Sequence, residues 1–412
     1  MADITELAPD THAKLSPSGA SRWTTCRGSV ALGIALNIKD RPSEAAAEGT
    51  VGHDIAAKAL RFQLMKGRVY DYDQHLDTVV RCDGFDIRVR ADLLEAVKGY
   101  VDNIMQLHED GAQVFVEVKL PLEGITGEEN ATGTGDAVAI IGNELHVEDL
   151  KLGRGVLVDV EDNKQLLMYA LAAYDVFAMA GEIDKVTMVI NQPRAGGRKA
   201  ITFPVDQLLE SRELFTLNAK KAMKLIDYAR VSHVSDIGVN VDERIINELN
   251  PSEDACRFCK NKPWCPALNI LALEAERAVY VNVSNRPEDL ASAYSRAVVL
   301  KHWVSAVEEE TKRQLEDGKH VPGYGLVNGR AGARAWTEPE KVESLLKSLD
   351  IPREDIYDSD IKSPTQMEKV LKKNKVIWAQ LQDHIIRRPP SQKIASTNAS
   401  EAELTGFRDL DE

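Results

Sequence analysis

Gly142-Asn143, set between two apolar runs, limits what this chain can fold into more than any other pair of residues. The runs are Thr134 to Ile141 and Glu144 to Leu150, and the pair supplies the unusual φ values that a two-residue β-turn demands. An antiparallel hairpin of core strands is therefore predicted. Upstream, Val114-Phe-Val-Glu117-Val-Lys-Leu120 alternates like a strand; downstream, Leu166, Leu167, Ala170, Leu171 and Tyr174 give Asp159 to Met179 a helical spacing. Val186 to Asn191 returns to strand. Strand, strand, strand, helix, strand predicts an α/β fold built on a mixed sheet flanked by helices.

Ser16 or Ser18 can cap a helix that starts near Pro17, which would place Cys26 about two turns inside it. The Ala-rich run from Ser43 to Leu64 favours helix and carries His53, and Leu93 to His108 predicts a second helix ending at Gly111. Arg286 to Leu315 reads as a long helix, with Pro287 in its first turn and Gly318 after its end. Tyr324 to Arg330 reads as a hairpin around Asn328-Gly329, and Ser363-Pro-Thr-Gln366 as a capped helix start. The expected organisation is a core over 1–270, a mainly helical region over 271–387 and a polar tail over 388–412.

Composition narrows the function classes. A hydrophobic content of 43% in 412 residues suits a soluble chain of two or three domains. No stretch approaches the roughly 18 apolar residues of a membrane span, and the start, Met1-Ala-Asp-Ile-Thr-Glu, has no targeting pattern. A cytoplasmic protein is expected. With 51 basic against 65 acidic residues, the net charge of −14 gives no general attraction to nucleic acid. Any contact with DNA must therefore use a local basic surface.

Asp136, in Gly133-Thr-Gly-Asp136, and Asp149, in Asp149-Leu-Lys151, lie near adjacent strand ends. Two such carboxylates can share one hard divalent cation, and Lys151, two residues from Asp149, points to the same strand face. A lysine there can position the water that attacks a phosphodiester. Alone, an Asp-x-Lys ends many exposed strands. Cys256-Arg-Phe-Cys259-Lys-Asn-Lys-Pro-Trp-Cys265 gives three thiols in ten residues, enough for one loop to serve zinc or an iron–sulfur cluster. Cys82 has no matching partner in the sequence.

In their order, Gly-Thr-Gly-Asp136, Val147-Glu-Asp149-Leu-Lys151 and Gln165-Leu-Leu-Met-Tyr169 resemble the RecB-like branch of the PD-(D/E)XK nuclease superfamily. Upstream, Glu48-Gly-Thr-Val-Gly-His53 resembles the helical motif that carries its metal-binding histidine. The resemblance covers about Ser16 to Leu268 and implies a restriction-endonuclease-like sheet. It implies that His53, Asp136 and Asp149 bind Mg2+ or Mn2+, that Lys151 assists the water, and that Gln165 and Tyr169 line the DNA side. Glu117 is a further acidic contributor. Iron–sulfur nucleases of this branch, including the AddB-type and CRISPR-associated exonucleases, pair one early cysteine with three late ones. That order implies a [4Fe–4S] cluster on Cys26, Cys256, Cys259 and Cys265, with zinc at the same four thiols as the alternative.

The whole chain resembles phage and prophage RecB-like proteins, which implies a DNA exonuclease working with phage replication or recombination proteins in the host cytoplasm. The alternative is a non-catalytic DNA-binding or assembly protein that retains the fold. Candidate phosphate contacts are Arg194, Arg198 and Lys199, with Lys260 and Lys262 beside the cysteines, and all of them equally fit solvated surface charges. In the C-terminal region, Arg330, Arg334 and Trp336 suggest a strand-binding surface, and Lys369, Lys372, Lys373 and Lys375 a basic run. These lysines equally fit a solvated helix face.

Overall fold

The computed structural model describes residues 11–39, 42–155, 157–229, 234–235, 238–278, 287–328, 334–349, 351–356, 362–372, 375–387 and 392–396. They fall into two compact units divided between Trp303 and Val304. The first unit thus runs past the boundary expected at 270.

Its N-terminal part comprises strand β1 (Thr11–His12), helices α1 (Ala20–Thr25), α2 (Gly28–Ala35) and α3 (Glu44–Lys66), the hairpin β2 (Val79–Cys82) and β3 (Phe85–Arg88), and α4 (Ala91–Glu109). Ser43 caps α3, its side chain accepting from the Ala46 N–H, and Gly67 closes the helix at a φ of 59° that a glycine adopts without strain. Cys26 does not lie inside a helix, as expected from sequence. It is the C-cap of α1, with φ of −119°.

The sheet follows, as β4 (Gln113–Pro121), the short α5 (Glu123–Thr126), β5 (Ala131–Ile141), β6 (Glu144–Leu150), α6 (Lys164–Phe177), β7 (Lys185–Gln192) and β8 (Gly197–Pro204). β5 pairs antiparallel with β4 and β6, and its first two residues pair parallel with β1. The expected hairpin turns at Gly142, with φ of 58°. β6 and β7 are parallel, so α6 is the crossover between them, started by Asn163, whose side chain accepts from the Leu166 N–H. β8 and the long α7 (Val205–Ala229) complete the sheet region, beyond what the sequence reading assigned.

Strand alternation sorts the sheet into two faces. Val138, Leu145 and Val147 pack in one core with Leu166 and Leu171 of α6 and Trp23 of α1; Val116, Ala137 and Leu150 pack in another with Ile55 of α3 and Val97 of α4. Burying each large apolar side chain there stabilises the fold by about 1.5–3 kcal/mol. Helices α8 (Glu243–Ile246), α9 (Glu253–Arg257), α10 (Pro266–Ala278) and α11 (Pro287–Glu316) follow. The architecture is the α/β mixed sheet with flanking helices that the sequence predicts. No helix among the described residues is long and apolar enough to cross a membrane.

The second unit has its own small core, including Val342, Leu346, Met367 and Leu381. Ser363 and Gln366 form the expected capping box. Tyr324–Asn328 pairs with Gln392–Ser396, and Arg334–Trp336 with Ile385–Arg387, while the turn expected at Gly329-Arg330 lies outside the described residues. A turn pair is a local signal, whereas a strand's partner is chosen by packing. Gln392–Ser396 therefore belongs to a sheet rather than a tail; the rest of 388–412 lies outside the described residues, as do Arg330 and Lys373. Trp336 is core, its indole N–H donating to the Lys362 carbonyl at 2.9 Å, so it offers no stacking face.

Candidate metal and nucleic-acid site

Asp136, Asp149 and Lys151 share strand parity with Val138, Leu145 and Val147, so β5 and β6 aim them toward α6. α6 answers with Gln165 in its first turn. Gln165 donates to Asp149 Oδ1 at 3.1 Å, Lys151 Nζ donates to the same oxygen at 3.0 Å, and Lys151 also donates to Gln165 Oε1 at 3.2 Å. This closed triangle holds the lysine and carboxylate in one geometry. Asp149 is 4% exposed, and its Oδ2 makes no hydrogen bond although the ammonium lies 2.8 Å away as an ion pair. A buried carboxylate oxygen without a hydrogen bond costs free energy unless a cation meets it.

Across the sheet end, His53 of α3 reaches Asp136, Nδ1 to Oδ1 at 3.1 Å, while Asp136 Oδ2 accepts from the Leu150 N–H at 2.7 Å. Glu117 completes this group. The β4–β5 register pairs Val116 with Ala137 and Val118 with Gly135, leaving Glu117 and Asp136 out of the ladder, and Glu117 has a φ of 52°. For a residue with a Cβ this left-handed conformation is strained, and it persists where the surroundings impose it. The outcome is that one ligand-type atom from each of His53, Glu117 and Asp136 lies within 4.8 Å of the others. Two carboxylates and an imidazole suit a hard or borderline divalent cation.

The electrostatics agree. Burial pushes Glu117 up to about 7, with the charge of Asp136 adding to it against His53 and Arg61. Burial likewise raises Asp149, to about 6, Lys151 opposing and Asp136 reinforcing. For His53 burial acts downward, yet the hydrogen bond and charge of Asp136 leave it raised. Tyr169 is half-buried, hydrogen-bonds Gln165, and is raised by burial and by the charges of Asp149 and Asp136. Carboxylates that raise one another's proton affinity will also favour a divalent cation.

All six residues expected from sequence to form this site, His53, Asp136, Asp149, Lys151, Gln165 and Tyr169, come together here. The structure gives Glu117 a larger part than the sequence does, since it groups with His53 and Asp136, whereas Asp149 is engaged by Lys151 and Gln165. Tyr100 of α4 was not signalled at all. Its buried hydroxyl has no hydrogen bond, and the charges of Asp136, Glu148, Asp149 and Glu117 all bear on it. Nothing in a helical sequence pattern separates such a tyrosine from ordinary core.

The three cations expected to hold phosphate after Pro193 each face a carboxylate. Arg194, its side chain 7% exposed, grips Glu48 at 2.9 and 3.2 Å and Asp92 at 2.9 Å. Arg198 donates to the buried Glu148 at 3.1 Å, and Lys199 stands 3.8 Å from Asp159. Arg194 is a largely enclosed ion-pair partner, whereas Arg198 stays exposed and reaches in to neutralise the buried Glu148.

The four cysteines assemble from both ends of the first unit. Cys26 accepts from the Asn250 N–H at 3.2 Å, and beside it Gly28 N–H donates to the Glu248 carbonyl at 3.0 Å. Asn261 donates to the Ser29 carbonyl at 2.6 Å, docking the cysteine loop on α2. Burial raises the Cys26 thiol to about 12, and Cys259, Cys265 and Cys256 all push it the same way. Cys256 rises to about 11 by burial, with Cys259 and Cys265 adding to it. Mutually repelling thiolates in an apolar setting are suited to a cationic centre. Among the described residues, no three of these sulfurs lie within 4.8 Å of one another. Cys82 stands apart on β2. A family described as "Protein of unknown function (DUF2800)" matches residues 12–401 of this chain.

Proposed function

The chain belongs to the DUF2800 family, and we propose that it is a metal-dependent deoxyribonuclease with a restriction-endonuclease-like core. One observation carries the reading: the His53, Glu117 and Asp136 donors converge within 4.8 Å, next to an Asp149–Lys151–Gln165 triangle. Bound Mg2+ or Mn2+ would lower the pKa of a water and offset charge on the phosphate. His53, Glu117 and Asp136 would hold it, joined by Asp149, whose Oδ2 would exchange its ion pair with the Lys151 ammonium for the metal. Lys151, fixed by Asp149 and Gln165, orients the attacking water and stabilises the added negative charge. Gln165 sets the lysine's direction, and Tyr169 walls the side of the site that faces the strand.

The finer reading is an exonuclease of phage replication or recombination, stabilised by a [4Fe–4S] cluster on Cys26, Cys256, Cys259 and Cys265. Zinc with four thiolates at about 2.3 Å would draw the sulfurs to within about 4 Å of one another. Zinc on the same four thiols is the alternative centre.

Digestion of end-labelled single- and double-stranded DNA with Mg2+ or Mn2+ tests the activity. Asp149→Asn and Lys151→Ala are each expected to lower cleavage by about 10²–10⁴-fold while the fold persists. Cleavage undiminished in both variants would remove the assigned site.

A further inference from the structure

The C-terminal end of β7 carries two buried amides, Asn191 and Gln192, each 2% exposed. The Asn191 carbonyl accepts the Lys151 N–H at 2.7 Å, one rung beyond the last residue of β6. Its side chain is fixed from two directions. Nδ2 donates to Glu148 Oε2 at 2.7 Å, and Oδ1 accepts from Asn103 of α4 at 3.3 Å. Gln192 braces the chain beyond the lysine, its Oε1 accepting from the Val158 N–H and its Nε2 donating to the Gly153 carbonyl, both at 3.1 Å. Lys151 therefore has its ammonium held by Asp149 and Gln165 and its backbone held by β7.

Glu148 is the anomaly in this arrangement. It shares strand parity with Leu150, so it turns away from Asp149 to the face covered by α3 and α4, and its side chain is fully enclosed. Arg198 of β8 reaches its Oε1 at 3.1 Å from a guanidinium that stays partly in water. The register sets Asn191 opposite both Leu150 and Arg198, so Glu148, Asn191 and Arg198 interlock across three strands. Burying a carboxylate with its cation seldom stabilises a fold more than apolar side chains of similar volume would, because desolvation offsets the attraction. What it does supply is a single geometry, since any other strand position leaves the carboxylate unpaired. The geometry fixed here is that of Asn191, and through its carbonyl that of Lys151.

We infer that Asn191, locked by Glu148 and Arg198, is a positioning residue for Lys151. The inference rests on the proposed nuclease function for the lysine's task, while the backbone anchor itself is measurable without cleavage.

The double variant Glu148→Leu/Asn191→Val removes the buried charge and the amide together and leaves Arg198 to turn to solvent. It is expected to melt at or above the native temperature, to bind Mn2+ and DNA within about twofold of native, and to lose about tenfold or more in kcat. A fallen kcat beside unchanged melting separates positioning from a structural defect. Asn191→Ala should cost a similar factor in the native background and nothing further in Lys151→Ala, since it acts through that residue. Amide exchange of the metal-free chain needs no activity: the Lys151 N–H should exchange about tenfold faster in either variant, with those of Leu145 and Val147 unchanged. If the double variant melts lower than the native chain, Asn191→Ala in the two backgrounds carries the decision. An undiminished kcat, unchanged exchange at Lys151, or an Asn191→Ala loss that persists in full beside Lys151→Ala overturns the inference. If the native chain cuts DNA with neither metal, the nuclease reading falls and exchange decides alone: faster exchange at Lys151 keeps the anchor, and equal exchange removes it.

Discussion

Glu117 shows how one side chain couples stability to metal binding. Its pKa is raised from 4.5 to about 7 by burial and by Asp136, so the folded chain keeps a proton that the unfolded chain releases. The folded state therefore binds more protons across that window, and the metal-free protein should lose stability as pH rises from about 4.5 to about 7. A divalent cation displaces the same proton, so its affinity should rise over the same range. Glu117→Gln is expected to flatten the pH dependence of the metal-free melting temperature and to weaken Mn2+ binding at least about tenfold at pH 8. Melting curves and calorimetric titration at about pH 5 and pH 8 check both; unchanged Mn2+ affinity would remove Glu117 from the ligand set. At this scale the sequence was informative where geometry is local. Strand parity fixes Asp149 beside Lys151, and the first helical turn fixes Gln165. It was silent where tertiary contact decides: the left-handed φ of Glu117, the burial of Arg194 against Glu48 and Asp92, and the enclosure of Trp336.

Between elements, Gly52 marks a close approach. A Cβ there would fall 2.1 Å from Leu152 Cδ1 and 3.2 Å from Leu93 Cδ1, so α3 lies tight against the segment that continues from Lys151. His53 is the next residue, and the same approach carries it to Asp136. Alanine normally stabilises a helix by about 0.5–1 kcal/mol over glycine, but overpacking here costs about 1–3 kcal/mol. Gly52→Ala is expected to be destabilising on balance and to lower cleavage about tenfold or more by displacing Leu152 and with it Lys151. Gly49, one turn earlier, has nothing within 4 Å of a Cβ, and Gly49→Ala should raise stability without touching activity. Thermal melts and rate measurements on the pair separate the effects; equal gains in stability would mean the packing at Gly52 is slack. From sequence Gly52 reads only as a weak point of a helix, because close packing has no signature in propensity. The hairpin at Gly142 was legible for the opposite reason, its turn geometry being written in two adjacent residues. For Tyr324–Asn328 the same local logic shows the strand but not its partner at Gln392–Ser396.

At the scale of the whole chain, a centre joining the four thiols would close a loop of about 230 residues between Cys26 and Cys256, and constraining a loop of that length removes about 5 kcal/mol of unfolded-state entropy. That is comparable with the net stability of an ordinary domain. The one-before, three-after order of the cysteines was legible because it is a property of sequence alone. The unit boundary was not, because it falls between Trp303 and Val304 inside the continuous helix α11. A centre joining those thiols would hold the N-terminal segment that carries Pro17 against Gly133, so losing it should affect stability and cleavage together. Anaerobically purified protein is expected to be coloured and to contain about four irons per chain. Cys26→Ser and Cys265→Ser should each bleach it, lower the melting temperature and reduce cleavage, while Cys82→Ser, on the separate β2–β3 hairpin, should leave all three unchanged. Colourless protein carrying one zinc per chain would replace the cluster, since zinc thiolates have no visible band. In that case the loop would be closed all the same, because closure depends on the four thiols being joined and not on the metal that joins them.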